Sequence, residues 1–351
     1  MTRPAIKDFY RIYRREGEDA IFIGQGPDKV ALDRPTPAME AFVRALDGSR
    51  TDDELRTEFS QSDEWLSQLA EAGVIEEREG ADSLDPVQAR RYARQVNYLR
   101  LYERPGWSGR EAQAKILGSR VVVVGTGAGG TTLVRLLTAA GVGTMEVVDF
   151  DDVELDNLAT HGALDEEDVG GPKLEAVRRH AHRQNSGTEV VCHDRRIGGA
   201  DELVELVGGA DFLLQAYDRP REHSEAARWT NEAGLATGVP FSSIGATDKG
   251  ARAGPIVLPG SSSCFECIGI PELEFLRYEQ AQALTAATVF MLAGIMVGEI
   301  VKVLTGSALS RLVGRSLYVD TESLEFTFTE HPRRPECMCS RVAEAALAPL
   351  A

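Results

Sequence analysis

Positive charge is what this chain has little of: 38 Lys and Arg stand against 55 Asp and Glu, a formal net charge of −17. So acidic a body excludes a general binder of nucleic acid or anionic membrane, and it confines any phosphate site to a local basic cluster. Cysteine is scarce as well. Five thiols, an odd number, argue against a disulfide framework. The N-terminus mixes Arg3, Lys7, Asp8, Arg11, Arg14 and Arg15 without an apolar run, so no secretory signal is read and a cytoplasmic location is expected. The densest apolar stretch, Ala286 to Leu304, is interrupted by Glu299 and Lys302 and loosened by Gly294 and Gly298. A buried helix is expected there rather than a membrane span.

What is present is a nucleotide-binding signature. Val121 to Val124 reads as a strand, Gly125-Thr126-Gly127-Ala128-Gly129-Gly130 as a turn, Thr131 to Ala140 as a helix, and Thr144 to Val148 as a second strand ending on Asp149. Glycines at 125, 127 and 130 let backbone amides approach a phosphate at the helix N-terminus, and Asp149 is placed to accept from ribose hydroxyls. By itself the unit says nucleotide without saying which, because Asp149 suits the ribose of NAD equally well.

The length allows one large core or two smaller ones, and the pattern suggests two domains, 1–85 and 86–351. In the first, short strands at Ala20 to Ile23 and Val30 to Leu32 precede helices at Pro37 to Leu46, Asp52 to Phe59 (N-cap Thr51) and Glu64 to Ala72. Gly73 and a strand-like Val74-Ile75 close it. Gly80 to Pro86 reads as a linker. Val87 to Leu101 reads as a helix carrying Arg90-Arg91-Tyr92-Ala93-Arg94-Gln95.

This winged-helix-like α+β pattern resembles the PqqD-like peptide-recognition element of peptide-modifying enzymes. There, a leader peptide adds as a strand to the small sheet. A purely structural or dimerising cap and a DNA-binding winged helix are the alternatives. From residue 88 to about 340 the resemblance becomes specific. Arg91 to Gln95, Gly125 to Gly130, Asp149 to Leu158, Val169 to Lys173 and Tyr217-Asp218 follow the motif order of the ThiF/MoeB superfamily, the adenylating fold shared with ubiquitin-activating enzymes. Within it, the extra N-terminal unit and the segment Pro240 to Cys267 look most like the microcin C-type adenylating enzymes. The fold implied is α/β: a Rossmann-like adenylation domain with a mixed sheet, preceded by the small domain.

The resemblance implies that a carboxylate attacks the α-phosphorus of ATP and expels pyrophosphate. Catalysis is then mostly charge neutralisation and alignment of two anions. Carried over position by position, it gives the turn Gly125, Gly127, Gly129 and Gly130 to nucleotide binding together with Asp149 and Asp151. Asn157 and Lys173 are given the phosphates, and Asp218 the Mg²⁺. Arg94 reaches the partner's ATP across a homodimer. Cys264, Cys267, Cys337 and Cys339 are implied as the ligands of a structural Zn²⁺, although the second pair is CxC rather than CxxC. The expected partner is a ribosomal precursor peptide, with Pro271 to Gln282 as a loop over it.

The chain departs from the pattern at one place. The family continues Asn-Leu-x-Arg-Gln, whereas this chain has Asn157-Leu158-Ala159-Thr160-His161, so Thr160 stands where the phosphate-gripping Arg belongs. His161 would supply charge only if protonated. With no cysteine between Asp218 and Pro255, a thioester step is not expected, and Cys192 reads as a small core residue. Two other readings remain: a non-catalytic ThiF-like partner that presents leader peptides to a cyclodehydratase, and a sulfur-carrier adenylyltransferase.

Overall fold

A computed structural model describes residues 3–27, 29–77, 84–104, 107–217, 220–247, 250–270 and 284–340. The expected linker from Gly80 as far as residue 83, Asp218, and the loop Pro271 to Gln282 lie outside the described residues. The chain separates into two compact units, 1–110 and 111–351.

In the first unit, β1 (Pro4–Ile6) pairs antiparallel with β5 (Ile75–Glu77), while β2 (Ile12–Tyr13), β3 (Ala20–Ile23) and β4 (Val30–Asp33) form a three-stranded antiparallel meander. Helices α1 (Pro37–Ala45), α2 (Asp52–Glu58) and α3 (Ser62–Glu71) lie between β4 and β5. Their starts are chemically fixed. The Thr36 side chain caps α1, and at α2 Thr51 and Glu54 form a reciprocal capping box. The helices close on Phe42, Leu55, Phe59, Trp65 and Leu69, with Phe59 edge-on to Phe42 at 5.4 Å. Burying each such side chain is worth about 1.5–3 kcal/mol. The helix expected over Val87 to Leu101 is instead two, α4 (Pro86–Arg91) and α5 (Ala93–Leu99), broken at Tyr92, which leaves helical geometry and buries its ring.

The second unit opens with α6 (Gly109–Gly118) and is built on an eight-stranded mixed sheet. Its strands are β6 (Arg120–Val124), β7 (Thr144–Asp149), β8 (Glu189–Asp194), β9 (Phe212–Gln215), β10 (Phe241–Thr247), β11 (Gly250–Ala253), β12 (Arg315–Asp320) and β13 (Glu325–Glu330). They lie side by side in the order β13-β12-β11-β10-β9-β6-β7-β8. From β8 to β10 all neighbours are parallel; β11, β12 and β13 continue the sheet antiparallel. Helices α7 (Ala128–Ala140), α8 (Lys173–Gln184), α9 (Ala200–Val207), α10 (Pro220–Thr237), α11 (Phe265–Ile268) and α12 (Ala286–Thr305) complete it. Strands such as Val121–Val124 and Phe212–Leu214 are fully buried and read as continuous apolar runs, as parallel strands covered on both faces must.

Strand order reverses between β6 and β9, with β7 and β8 on one side and β9 and β10 on the other. Open α/β sheets bind ligands at such a reversal, at the carboxyl ends of the strands. Helix α12 is long and apolar enough, by composition, to cross a membrane. It packs against α7 and β11 through Val289, Leu292, Ala293, Met296 and Ile300. Its buried Glu299 is satisfied by Lys302, Ser310 and the amide of Arg311. Cys192 is half-buried rather than core, because β8 is an edge strand and its faces are only partly covered.

Candidate active site

The glycine turn leaves β6 and enters α7 at the strand reversal. Gly125 has φ +94°, and a Cβ there would lie 2.8 Å from the Ala216 carbonyl oxygen, so the position requires glycine twice over. A Cβ on Gly130 would come within 1.9 Å of the Gly125 carbonyl oxygen. The helix begins at Ala128 with Gly127 as its N-cap, three residues before the expected Thr131, so Gly129 and Gly130 belong to its first turn. No side chain caps this end. A bare helix start carrying glycines exposes its amides and positive dipole end to an anion.

Asp149 ends β7 and is buried. Its Oδ2 accepts from the Thr126 amide at 2.5 Å and the Thr126 hydroxyl at 2.6 Å; its Oδ1 accepts from the amides of Phe150 and Asp151 at 2.7 and 3.0 Å. The carboxylate therefore ties the glycine turn to the segment after β7 and already uses its four acceptor directions. Of these donors only the Thr126 hydroxyl can rotate away, and that is the direction a ribose hydroxyl would take.

The next link is a clamp between 151–153 and 170–173. The Lys173 amide donates to the Asp151 carbonyl at 3.0 Å, Val153 to Gly171 at 2.8 Å, and Gly170 to Val153 at 2.9 Å. It delivers Lys173, the first residue of α8, to a buried position with Nζ 3.4 Å from Asp151 Oδ2. A cation at a helix N-terminus is disfavoured by the dipole, and one carboxylate at that distance offsets it only in part. Such a lysine is poised for a second anion.

Asn157 lies nearby in sequence but is committed locally. Its Oδ1 accepts from the Glu154 amide at 3.1 Å and its Nδ2 donates to Asp156 at 3.0 Å, closing a 3-10 turn. His161 is half-buried rather than solvated, with Nδ1 2.8 Å from the Asn157 carbonyl and Nε2 buried without a partner. Burial, and then the charge of Lys173, lower its pKa to about 4, so it is neutral near pH 7. It does not supply the charge missing at Thr160. Arg94 is exposed on α5 of the first unit.

A crevice of about 200 Å³, open to solvent, lies beside Gly125 and Asp149. Sequence reasoning missed three residues that line it: Arg195 and Arg196, which follow the end of β8, and Thr230 on α10. Thr230 Oγ1 is buried without a partner among the described residues. The signal for the arginines was present: two cations directly after the carboxyl end of a parallel strand, where these sheets hold anions.

Remote in sequence, Cys264, Cys267, Cys337 and Cys339 bring their sulfurs within 4.8 Å of one another, with 264–337 and 267–339 each 3.5 Å apart. Tetrahedral thiolates around Zn²⁺ at 2.3 Å stand about 3.8 Å apart, so this donor set fits a closed metal site. The short Cys337-Met338-Cys339 spacing is accommodated because Met338 turns outward, 42% exposed, while both sulfurs turn in.

A Gly-rich turn at a strand reversal, a strand-end acid tied to it and a lysine laced to the following segment define a nucleotide-binding, doubly wound α/β protein. The ThiF family model matches residues 92–340, and the chain belongs to the ThiF family. That family is of the adenylyltransferase type. The sulfur carrier protein ThiS adenylyltransferase of Escherichia coli is 26% identical over 196 residues, 56% of this chain and 76% of that protein. The SAMP-activating enzyme E1 of Haloferax volcanii is 28% identical over 263 residues, 73% of this chain and 90% of that one. Among solved structures, E. coli MccB superposes with a TM-score of 0.80 at 18% identity, covering 97% of this chain and 99% of its own.

Proposed function

We propose that this protein uses ATP to adenylate a carboxylate on a ribosomally made precursor peptide, with an N-terminal peptide clamp bounded near residue 85. The observation that carries this is the two-part plan. Likeness to MccB, which has been solved with ATP and with MccA, extends over 97% of this chain, whereas likeness to the ThiS adenylyltransferase and the SAMP-activating enzyme covers 56% and 73% of it. In the first unit, β4 is an edge of its three-stranded sheet among the described residues, which suits addition of a leader peptide as a further strand.

In this reading the substrate carboxylate attacks the α-phosphorus and pyrophosphate leaves. Lys173 and the first-turn amides of α7 oppose the phosphate charge, and Asp149 holds the ribose by exchanging the Thr126 hydroxyl for a ribose hydroxyl. Arg195 and Arg196 flank the nucleotide. Asp218 would hold Mg²⁺, which would further neutralise the phosphates. Arg94 completes the site from a second copy of the chain, making the working form a homodimer. The four cysteines would hold Zn²⁺ in a closed set with no open position, a structural role.

A second reading, activation of a sulfur-carrier protein, is favoured by the curated relatives. ATP–pyrophosphate exchange separates the two. Exchange driven by a short peptide encoded beside the gene supports the proposal, and exchange driven instead by a small carrier ending in Gly-Gly overturns it. Tight peptide binding without any exchange would make the chain a leader-presenting scaffold, consistent with the uncharged Thr160 and His161.

A further inference from the structure

The antiparallel side of the sheet carries a cation that pairs with no acid among the described residues. Arg252 sits within β11, directly across from Gly245 on β10 and from Tyr318 on β12, so the three positions share one face. The guanidinium lies beside Gly245, where a Cβ would stand 3.8 Å from a terminal nitrogen of Arg252. One terminal nitrogen donates to the Gly254 carbonyl and the other to Ser243 Oγ at 3.1 Å. Those bonds use two of the five N–H groups of the fork.

Tyr318 is the one neighbour that favours the charged form of Arg252, and His331, held by Ser316 Oγ at 2.9 Å, has its own pKa lowered by burial and then by Arg252. No carboxylate among the described residues pairs with Arg252. Burial lowers its pKa, and the residue keeps partial exposure. Enclosing a guanidinium without an anion is costly, and a planar fork with free donors suits a two-oxygen acceptor.

The position is connected to the nucleotide site. Ser243, which orients Arg252, is in register with Gln215 on β9, and Gln215 with Val124 at the end of β6, where the glycine turn begins. Gln215 is buried, with Oε1 lacking a partner among the described residues. A polar row thus runs across the sheet from the turn to Arg252, three strand spacings or roughly 14 Å.

We propose that Arg252, oriented by Ser243, anchors a second carboxylate of the peptide substrate, one that is not itself activated. The inference rests on the peptide-adenylation reading above. An oxygen held in a guanidinium fork has its lone pairs engaged and is a poor nucleophile, and the distance from the glycine turn places this contact away from the reacting phosphorus. Arg252 is therefore a specificity residue, and the enzyme selects peptides with an acidic residue beyond the reacting carboxylate.

The test is peptide-dependent ATP–pyrophosphate exchange by wild type, Arg252→Gln and Arg252→Lys. The probes are the precursor peptide encoded beside the gene and versions of it with each Asp or Glu changed singly to its amide. In wild type, one amide peptide is expected to raise KM at least tenfold with kcat within twofold. Arg252→Gln should raise KM equally for the unmodified peptide and show no further loss with that amide peptide, while Arg252→Lys recovers part of the affinity. Equal further loss in wild type and Arg252→Gln, or a tenfold rise in KM for ATP, overturns the anchor; the latter would make Arg252 part of the nucleotide site. Should Arg252→Gln fail to fold, Arg252→Lys and the wild-type series decide, and no KM effect from any amide peptide overturns the proposal. If wild type exchanges with no peptide, the adenylation reading fails by itself. Fluorescence anisotropy of the same labelled peptides then decides the anchor: acid-dependent binding weakened in Arg252→Lys supports it, and acid-independent binding overturns it.

Discussion

The parallel strands β8, β7, β6 and β9 and the antiparallel strands β11, β12 and β13 belong to one sheet but build their polar sites in different ways. On the parallel side the site is mostly backbone: a capless helix start, a turn that only glycine can make, and a clamp of three amide hydrogen bonds that delivers Lys173. Nearly all of it lies between residues 121 and 173. On the antiparallel side the pieces are side chains brought together by strand register and by a chain return of more than seventy residues. Arg252 meets Ser243 and Tyr318, and Cys264 meets Cys337. On the proposed reading, charge handling is concentrated in the first, while selectivity falls to the second.

Lys173→Ala separates the two sides most sharply. Removing a preorganised cation from the phosphates should lower exchange by about a hundredfold or more, with the melting temperature little changed. A loss under tenfold would move the centre of charge neutralisation elsewhere, to Arg195 and Arg196. On the other side, the double change Cys267→Ser with Cys339→Ser should abolish bound zinc, read by elemental analysis as one ion per wild-type chain. It should lower the melting temperature by about 5–10 °C while the kcat for exchange at 25 °C stays within threefold. A metal-free wild type, or an unchanged melting temperature, contradicts the metal site.

A smaller effect concerns His161. Its pKa is about 4 in the folded chain against an ordinary 6.5. The unfolded chain takes up this proton as pH falls through 6.5, and the folded chain does not until about 4. The stability it contributes is therefore whole above 6.5 and is lost as pH drops toward 4, by up to about 3 kcal/mol. Urea unfolding at pH 7 and pH 4.5 should show that decline in wild type and a shallower one in His161→Gln; equal declines would show that His161 titrates normally. Smallest of all, Cys192→Ala should leave exchange within twofold, since its thiol donates only to the Leu174 carbonyl at 3.5 Å. A large loss would revive a thiol step.

The same contrast explains what the sequence made legible. The glycine turn, Asp149 and Lys173 could be read because each is specified by neighbours within a few residues. The start of α7 was misjudged because glycines at 129 and 130 lower helix propensity, and the preorganised anion site overrides it. The break at Tyr92 was hidden because no proline or glycine marks it; burying the ring decides it. Cys192 misled because alternation reveals the pleat and not whether a strand is central or an edge. Arg252 was invisible for the same reason that β1 was: its meaning depends on register with β10 and β12, and no local pattern carries register. The four cysteines were legible as pairs, but their convergence depends on that same chain return.

The most direct test of the account is peptide-dependent ATP–pyrophosphate exchange in wild type and Asp218→Ala. The account predicts exchange that requires the peptide and disappears in the variant. Peptide bound tightly by wild type with no exchange at all would contradict it, and would make this ThiF-family chain a binding partner rather than an adenylating enzyme.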